Sequence, residues 1–133
     1  MNRDKYNMLS KEILDSCIAV HKEMGPGLLE SVYQFCLIKE LQGRGIQVEN
    51  EVAVPLYYKG EKINKDFRID ILVENEIILE LKTVEDILPV HEAQIISYLK
   101  MTGKKLGFLI NFNVPLMKEG FNRYVNNFYF SPL

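Results

Sequence analysis

Apolar positions along the chain keep a helical rhythm first and a strand rhythm afterwards. Residues 1–7 are polar and read as loose. Ser10 is placed to cap a helix whose apolar stripe runs Ile13, Cys17, Val20 and Met24, with Leu14, Ile18 and His21 beside it. Gly25-Pro26-Gly27 stops that helix. A second helix is predicted over residues 28–42, with Leu29, Val32, Tyr33, Cys36, Leu37 and Leu41 at helical spacing, ended by Gly43 and Gly45. The period then drops to two. Residues 47–58 alternate as a strand, Lys59-Gly60-Glu61 makes a turn, and residues 67–84 form two apolar runs broken at Glu74-Asn75-Glu76, the signature of a β-hairpin. Pro89 opens a third helix that Gly103 closes, with Ala93, Ile96, Leu99 and Lys100 among its inner and bordering positions. Residues 106–112 are continuously apolar and read as a buried strand. The remainder, through Phe121, Tyr124, Val125, Phe128, Tyr129 and Phe130, is an aromatic tail without strong period. The order α-α-β-β-β-α-β predicts an α/β fold with a central mixed sheet flanked by helices. No repeat and no low-complexity linker divides it, so residues 1–133 read as one domain.

The hairpin carries the anomaly. Strands bound for a core should be apolar, yet Asp70, Glu80 and Lys82 interrupt these two. Side chains alternate faces, so Glu80 and Lys82 project the same way. If the loop is the three residues Glu74, Asn75 and Glu76, Val73 pairs with Ile77 and Asp70 falls opposite Glu80 on one face. A two-residue turn would undo that alignment. Directly opposed residues hold their Cβ atoms roughly 4.5–5.5 Å apart, where like charges repel. A hard cation such as Mg²⁺ would relieve the repulsion through the two carboxylates, with the Leu81 main-chain carbonyl as a further oxygen. Lys82 would then orient a water or polarise a phosphate oxygen. A solvated face on which Lys82 bridges two acids accounts for the same residues equally well.

Composition narrows the classes. A chain of 133 residues, 47% hydrophobic, can build a real core. A net charge of −2 and pI near 5.7 provide no global attraction to nucleic acid or to an anionic membrane, so polyanion binding must be local. Cys17 and Cys36 lie in apolar helical patterns without metal-ligand spacing and read as reduced core residues, as expected of a cytoplasmic protein. No apolar run reaches the length of a membrane span, and no signal-like segment opens the chain.

Two further sets of residues could join the hairpin. Glu30, in the first turn of the second helix, is either a third metal ligand or base, or a carboxylate favoured there by the helix dipole. Gln94 and Tyr98 stand at i and i+4, with His91 three residues before Gln94, so all three share a helix face that either binds substrate or is simply polar. The two histidines make no zinc set with the cysteines. No nucleophile triad, phosphate-binding glycine loop or dinucleotide fingerprint is present, and Gly25-Pro26-Gly27 lacks the Lys-Ser/Thr of a P-loop.

Gly27-Leu28-Leu29-Glu30-Ser31-Val32-Tyr33 spells G-x-x-E-x-x-Y. Arg68-Ile69-Asp70, Glu80-Leu81-Lys82, the stretch from His91 through Gln94 and Tyr98 to Leu99, and Leu109-Ile110-Asn111-Phe112 come after it in that order. Over roughly residues 10–125 the chain resembles the GxxExxY proteins of the PD-(D/E)xK nuclease superfamily. The resemblance implies a restriction-endonuclease-like core and a metal centre of Asp70, Glu80, the Leu81 carbonyl and Glu30, with Lys82 as the catalytic lysine. It aligns Gln94 and Tyr98 with the Q-x-x-x-Y of the RecB-like and Cas4-like branches, as substrate-binding residues. Ile69 stands where the superfamily has its Pro. The activity implied is Mg²⁺-dependent hydrolysis of nucleic-acid phosphodiesters, with Mn²⁺ as a substitute metal and DNA ahead of RNA as substrate. The rival expectation is a nuclease-like fold that binds or assembles without cleaving, with the aromatic tail as a homodimer interface. The acidic pI and small size speak for the rival, and the retained opposed acids speak against it.

Overall fold

The computed structural model describes residues 1–126. The tail residues Phe128, Tyr129 and Phe130, and the dimer interface expected of them, lie outside the described residues.

Helix α1 runs Arg3–Met24, so the polar stretch expected to be loose is helical. Asn2, not Ser10, caps it, accepting from the Lys5 N–H at 2.9 Å. Ser10 sits inside the helix and donates to the Tyr6 carbonyl at 2.7 Å. The early start has a tertiary cause: Tyr6 and Leu9 are buried, and the Tyr6 hydroxyl donates to Glu76 at 2.9 Å. The buried stripe Tyr6, Leu9, Ile13, Cys17, Val20 keeps helical spacing, and Met24 lies at its exposed end. Helix α2, Glu30–Gly43, buries Tyr33, Leu37 and Leu41, while Leu29 precedes the helix and is exposed.

Strand β1, Val48–Tyr58, turns back through Lys59-Gly60 into β2, Glu61–Val73. Both turn residues have positive φ, the geometry that suits a two-residue hairpin. β2 thus begins six residues before the predicted run. Strand β3, Ile77–Lys82, pairs antiparallel with β2. Helix α3, Pro89–Thr102, crosses over to β4, Leu106–Asn111, which lies parallel to β3. A 3₁₀ turn at Met117–Gly120 leads into β5, Phe121–Val125, an antiparallel edge strand where only an aromatic tail was expected. The sheet order is β1-β2-β3-β4-β5.

Helices cover both faces of the sheet. Ile71, Val73, Ile77, Leu79, Leu81, Phe108 and Ile110 pack against α1 and α2. Leu72, Ile78 and Leu109 pack against Ile95, Tyr98 and Leu99 of α3. Burial of each such side chain contributes about 1.5–3 kcal/mol. The inner face of α3 departs from the expected frame, because Ala93, Ile96 and Lys100 are exposed. Gly107 selects the frame: a Cβ there would meet Ile95 Cδ1 at 3.0 Å, so the missing side chain on β4 is the seat of Ile95. Among the described residues no helix is long and apolar enough to cross a membrane.

Candidate active site

Val73 pairs with Ile77, Leu72 with Ile78 and Ile71 with Leu79, so the β2–β3 loop is the three residues Glu74, Asn75 and Glu76. Glu74 and Asn75 take φ of 51° and 57°, and the Glu76 N–H returns to the Val73 carbonyl at 2.9 Å. Continuing the register brings Asp70 to Glu80, as the alternation predicts. The main-chain ladder stops there. The Asp70 N–H donates to Glu80 Oε1 at 3.2 Å, and the Leu81 N–H donates to Asp70 Oδ2 at 2.8 Å. Each carboxylate thus accepts a main-chain amide from the opposite strand, just where the regular β2–β3 pairing ends. Within a strand the N–H and C=O of one residue point the same way, so the Leu81 carbonyl also faces that side. The Lys82 carbonyl points to the other side and accepts from the Phe112 N–H at 3.0 Å.

Glu80 is 3% exposed and Asp70 is half-buried. Burial, then the charge of Asp70, pushes the Glu80 carboxyl up to about 9. Burial likewise raises Asp70, with the Leu81 amide and Lys82 working against it and Glu51 adding to it. Lys82 projects from the same face as Glu80, half-buried, and among the described residues it belongs to no ion pair. Glu30 stands in the first turn of α2, close enough to interact electrostatically with Lys82, Asp70 and His91. Burial raises its carboxyl, Lys82 and His91 oppose the rise, and Asp70 reinforces it. Asp70, Glu80, Lys82 and Glu30 therefore share one electrostatic neighbourhood.

Gln94 and Tyr98 come together as expected, with Gln94 Nε2 donating to the Tyr98 hydroxyl at 3.0 Å. Tyr98 is only 3% exposed, its ring tilted on Phe67 with centroids 4.7 Å apart. Burial and then the charge of Glu80 push its hydroxyl up to about 12. The pair backs the acids from the α3 side, and half-buried Gln94 stands nearer solvent than Tyr98.

Four residues beyond the expected set hold this arrangement. Gln34 Nε2 donates to the Asp70 carbonyl at 3.1 Å and to Glu51 Oε1 at 3.3 Å. Neither Gln34 nor Glu51 stands out in the sequence. Tyr33 stacks on Phe112 at 4.5 Å, and its hydroxyl donates to the Gly25 carbonyl and accepts from the Leu28 N–H. One ring thereby ties the loop before Glu30 to the residue whose amide holds the Lys82 carbonyl. Asn111, 3% exposed, donates to the Val84 carbonyl and accepts from the Val84 and Asn113 amides, pinning the chain just after Lys82. Asn111 had a signal as the one polar residue within residues 106–112, a run read as apolar throughout.

The donor set suits a hard divalent ion. Two carboxylates and a main-chain carbonyl lie together, and among the described residues no group of three or more His, Cys, Asp or Glu side chains forms a metal cluster. An ion that keeps several waters fits such a sparse set better than zinc does.

The family model that matches the chain is that of the PD-(D/E)XK nuclease superfamily, over residues 7–124. A comparison with curated proteins gave no match. Among solved structures, the crystal structure of SSO0001 is similar, with a TM-score of 0.52 and 22% identity over 98% of this chain. The chain spans 62% of the length of that structure, and the likeness is one of fold.

Proposed function

The chain belongs to the PD-(D/E)XK nuclease superfamily, and from that membership and the Asp70–Glu80–Lys82 geometry we propose that it hydrolyses nucleic-acid phosphodiester bonds with Mg²⁺. The supporting observation is the reciprocal bonding where the regular β2–β3 pairing ends, which holds two carboxyl groups side by side next to a lysine that pairs with neither. Asp70, Glu80 and the Leu81 carbonyl would hold the cation, and Glu30 would have to move closer to become a further ligand, since among the described residues no three such side chains are clustered. When bound, the ion lowers the pKa of a water and offsets charge on the phosphate oxygens. Lys82 holds the attacking water and balances the charge that builds in the transition state. Glu30 would orient that water or take its proton. Gln94 reaches the substrate, and buried Tyr98 keeps Gln94 in place. In-line attack would leave a 5′-phosphate and a 3′-hydroxyl.

Within the superfamily, Gly27, Glu30 and Tyr33 favour the GxxExxY proteins, and Gln94 with Tyr98 favours the RecB-like and Cas4-like branches. Residues 1–133 act as one nuclease-like unit of the cytoplasm, with Mn²⁺ replacing Mg²⁺ and DNA preferred over RNA. The test is cleavage of end-labelled single- and double-stranded DNA and RNA by wild type and Lys82→Ala, with Mg²⁺, Mn²⁺ or chelator. Metal-dependent cleavage by wild type alone is expected. Equal cleavage by Lys82→Ala would assign the activity elsewhere, and no cleavage of any substrate would leave a module that binds without cutting.

A further inference from the structure

β1 and β2 continue beyond the core as a two-stranded ribbon. From residue 55 to residue 66 every side chain except Leu56 is exposed. A ribbon wet on both faces gains little from burial, so packing does not explain its composition. Tyr57 and Tyr58 are 63% and 65% exposed at its end. Residues 55–68 hold Lys59, Lys62, Lys65 and Arg68 against Glu61 and Asp66, a net +2 in a chain whose total is −2. Among the described residues none of the three lysines is in an ion pair, although Glu61 and Asp66 lie on the same ribbon. The Lys59 ammonium stands 5.5 Å over the Tyr58 ring.

Its root is the candidate active site. β2 is one strand from Glu61 to Val73, and the Phe67 ring rests on Tyr98 beside the two acids. The tip, ten residues from Asp70, therefore lies about 30 Å from the carboxylates. Around the site Glu30, Glu51 and Asp70 set acidic groups beside Lys82, so a separate basic surface is the better source of long-range attraction for a polyanion. We infer that the ribbon is an arm that grips nucleic acid away from the site of cleavage, its lysines on phosphates and its tyrosines on bases. This inference rests on the nuclease reading for its substrate class.

A second copy adding a strand is the other occupant such a ribbon suggests, and the β1 edge is built against it. Pro55 supplies no N–H, the register shifts between Pro55 and Tyr57, and Glu51 has φ of 51° within the strand. Lysines and tyrosines on a blunted edge suit a partner recognised by side chains.

The test is fluorescence anisotropy in EDTA, where nothing is cleaved, with 30-nucleotide single-stranded and duplex DNA. The variant Lys59→Glu/Lys62→Glu/Lys65→Glu is compared with Lys22→Glu/Lys39→Glu/Lys118→Glu, which changes net charge equally on exposed positions of α1, α2 and the 3₁₀ turn. The ribbon variant should bind at least tenfold more weakly, with a salt slope lower by roughly two to three, and the control should lose little. Equal loss in both, unchanged affinity in the ribbon variant, or no binding by wild type would overturn the arm. So would a wild-type dimer that the ribbon variant alone turns into monomer in sedimentation. Weaker binding by the ribbon variant together with a wild type that cleaves nothing would uphold the arm and refute the nuclease.

Discussion

Along β2, residues Ile71, Leu72 and Val73 bond to β1 on one side and β3 on the other and are buried, whereas residues 61–66 pair with β1 alone and are exposed. Asp70 stands at the changeover, where the β3 ladder ends and its amide turns to Glu80. One residue further into the core a carboxylate would meet a closed ladder with no amide to spare. A few residues further out it would have water and no fixed partner. A reactive acid needs a main-chain donor and an open side together, and the strand offers both only where it leaves the core.

The contrast can be broken most forcefully by truncating one side chain from each half. Ile71→Ala should cost about 2–5 kcal/mol of stability in urea unfolding, and Ile63→Ala should stay within about 0.5 kcal/mol. Comparable losses would mean that the outer half is packed after all.

The changeover itself is tested by pH. Glu80 is raised in the folded chain to about 9 from an ordinary 4.5, so across that window the folded state holds a proton that the unfolded state has lost. Without divalent ion, stability should therefore fall as pH rises from 4.5 to 9 and level off above it. Glu80→Gln should flatten the slope and be the more stable protein at pH 9, by on the order of a few kcal/mol. A wild-type curve that rises across the window would contradict the burial of that acid.

A smaller effect sharpens the link between α2 and the end of β3. Tyr33→Phe keeps the stack on Phe112 and loses the hydroxyl bonds to Gly25 and Leu28, at a cost of about 1 kcal/mol. If the brace also holds Glu30, that variant should lower the cleavage rate with little change in KM. A stability loss with unchanged kinetics would confine Tyr33 to packing.

The two halves of β2 also differ in how far the sequence revealed them. The inner hairpin was legible because period-two apolar runs flank a polar trio, and a three-residue loop there brings Asp70 opposite Glu80. The outer half was missed, since residues 61–66 hold a single apolar residue, Ile63, and carry no alternation. The start of α1 rests on Tyr6 reaching Glu76, a contact 70 residues away in sequence. The frame of α3 was ambiguous because Ile95 and Ile96 are equally apolar, and Gly107 on another element decides between them. Glu30, Gln94 and Tyr98 were found through their order along the chain, while Gln34 and Glu51 gain meaning only from their place beside Asp70.

The central claim, that Asp70 and Glu80 are held together to share a divalent ion, is tested most directly by calorimetric titration of Mn²⁺ near neutral pH into wild type, Asp70→Asn and Glu80→Gln. The prediction is one site in wild type, bound with release of a proton and tightening as pH rises, and no comparable heat in either variant. Binding that survives both substitutions, or its absence from folded wild type, would contradict it.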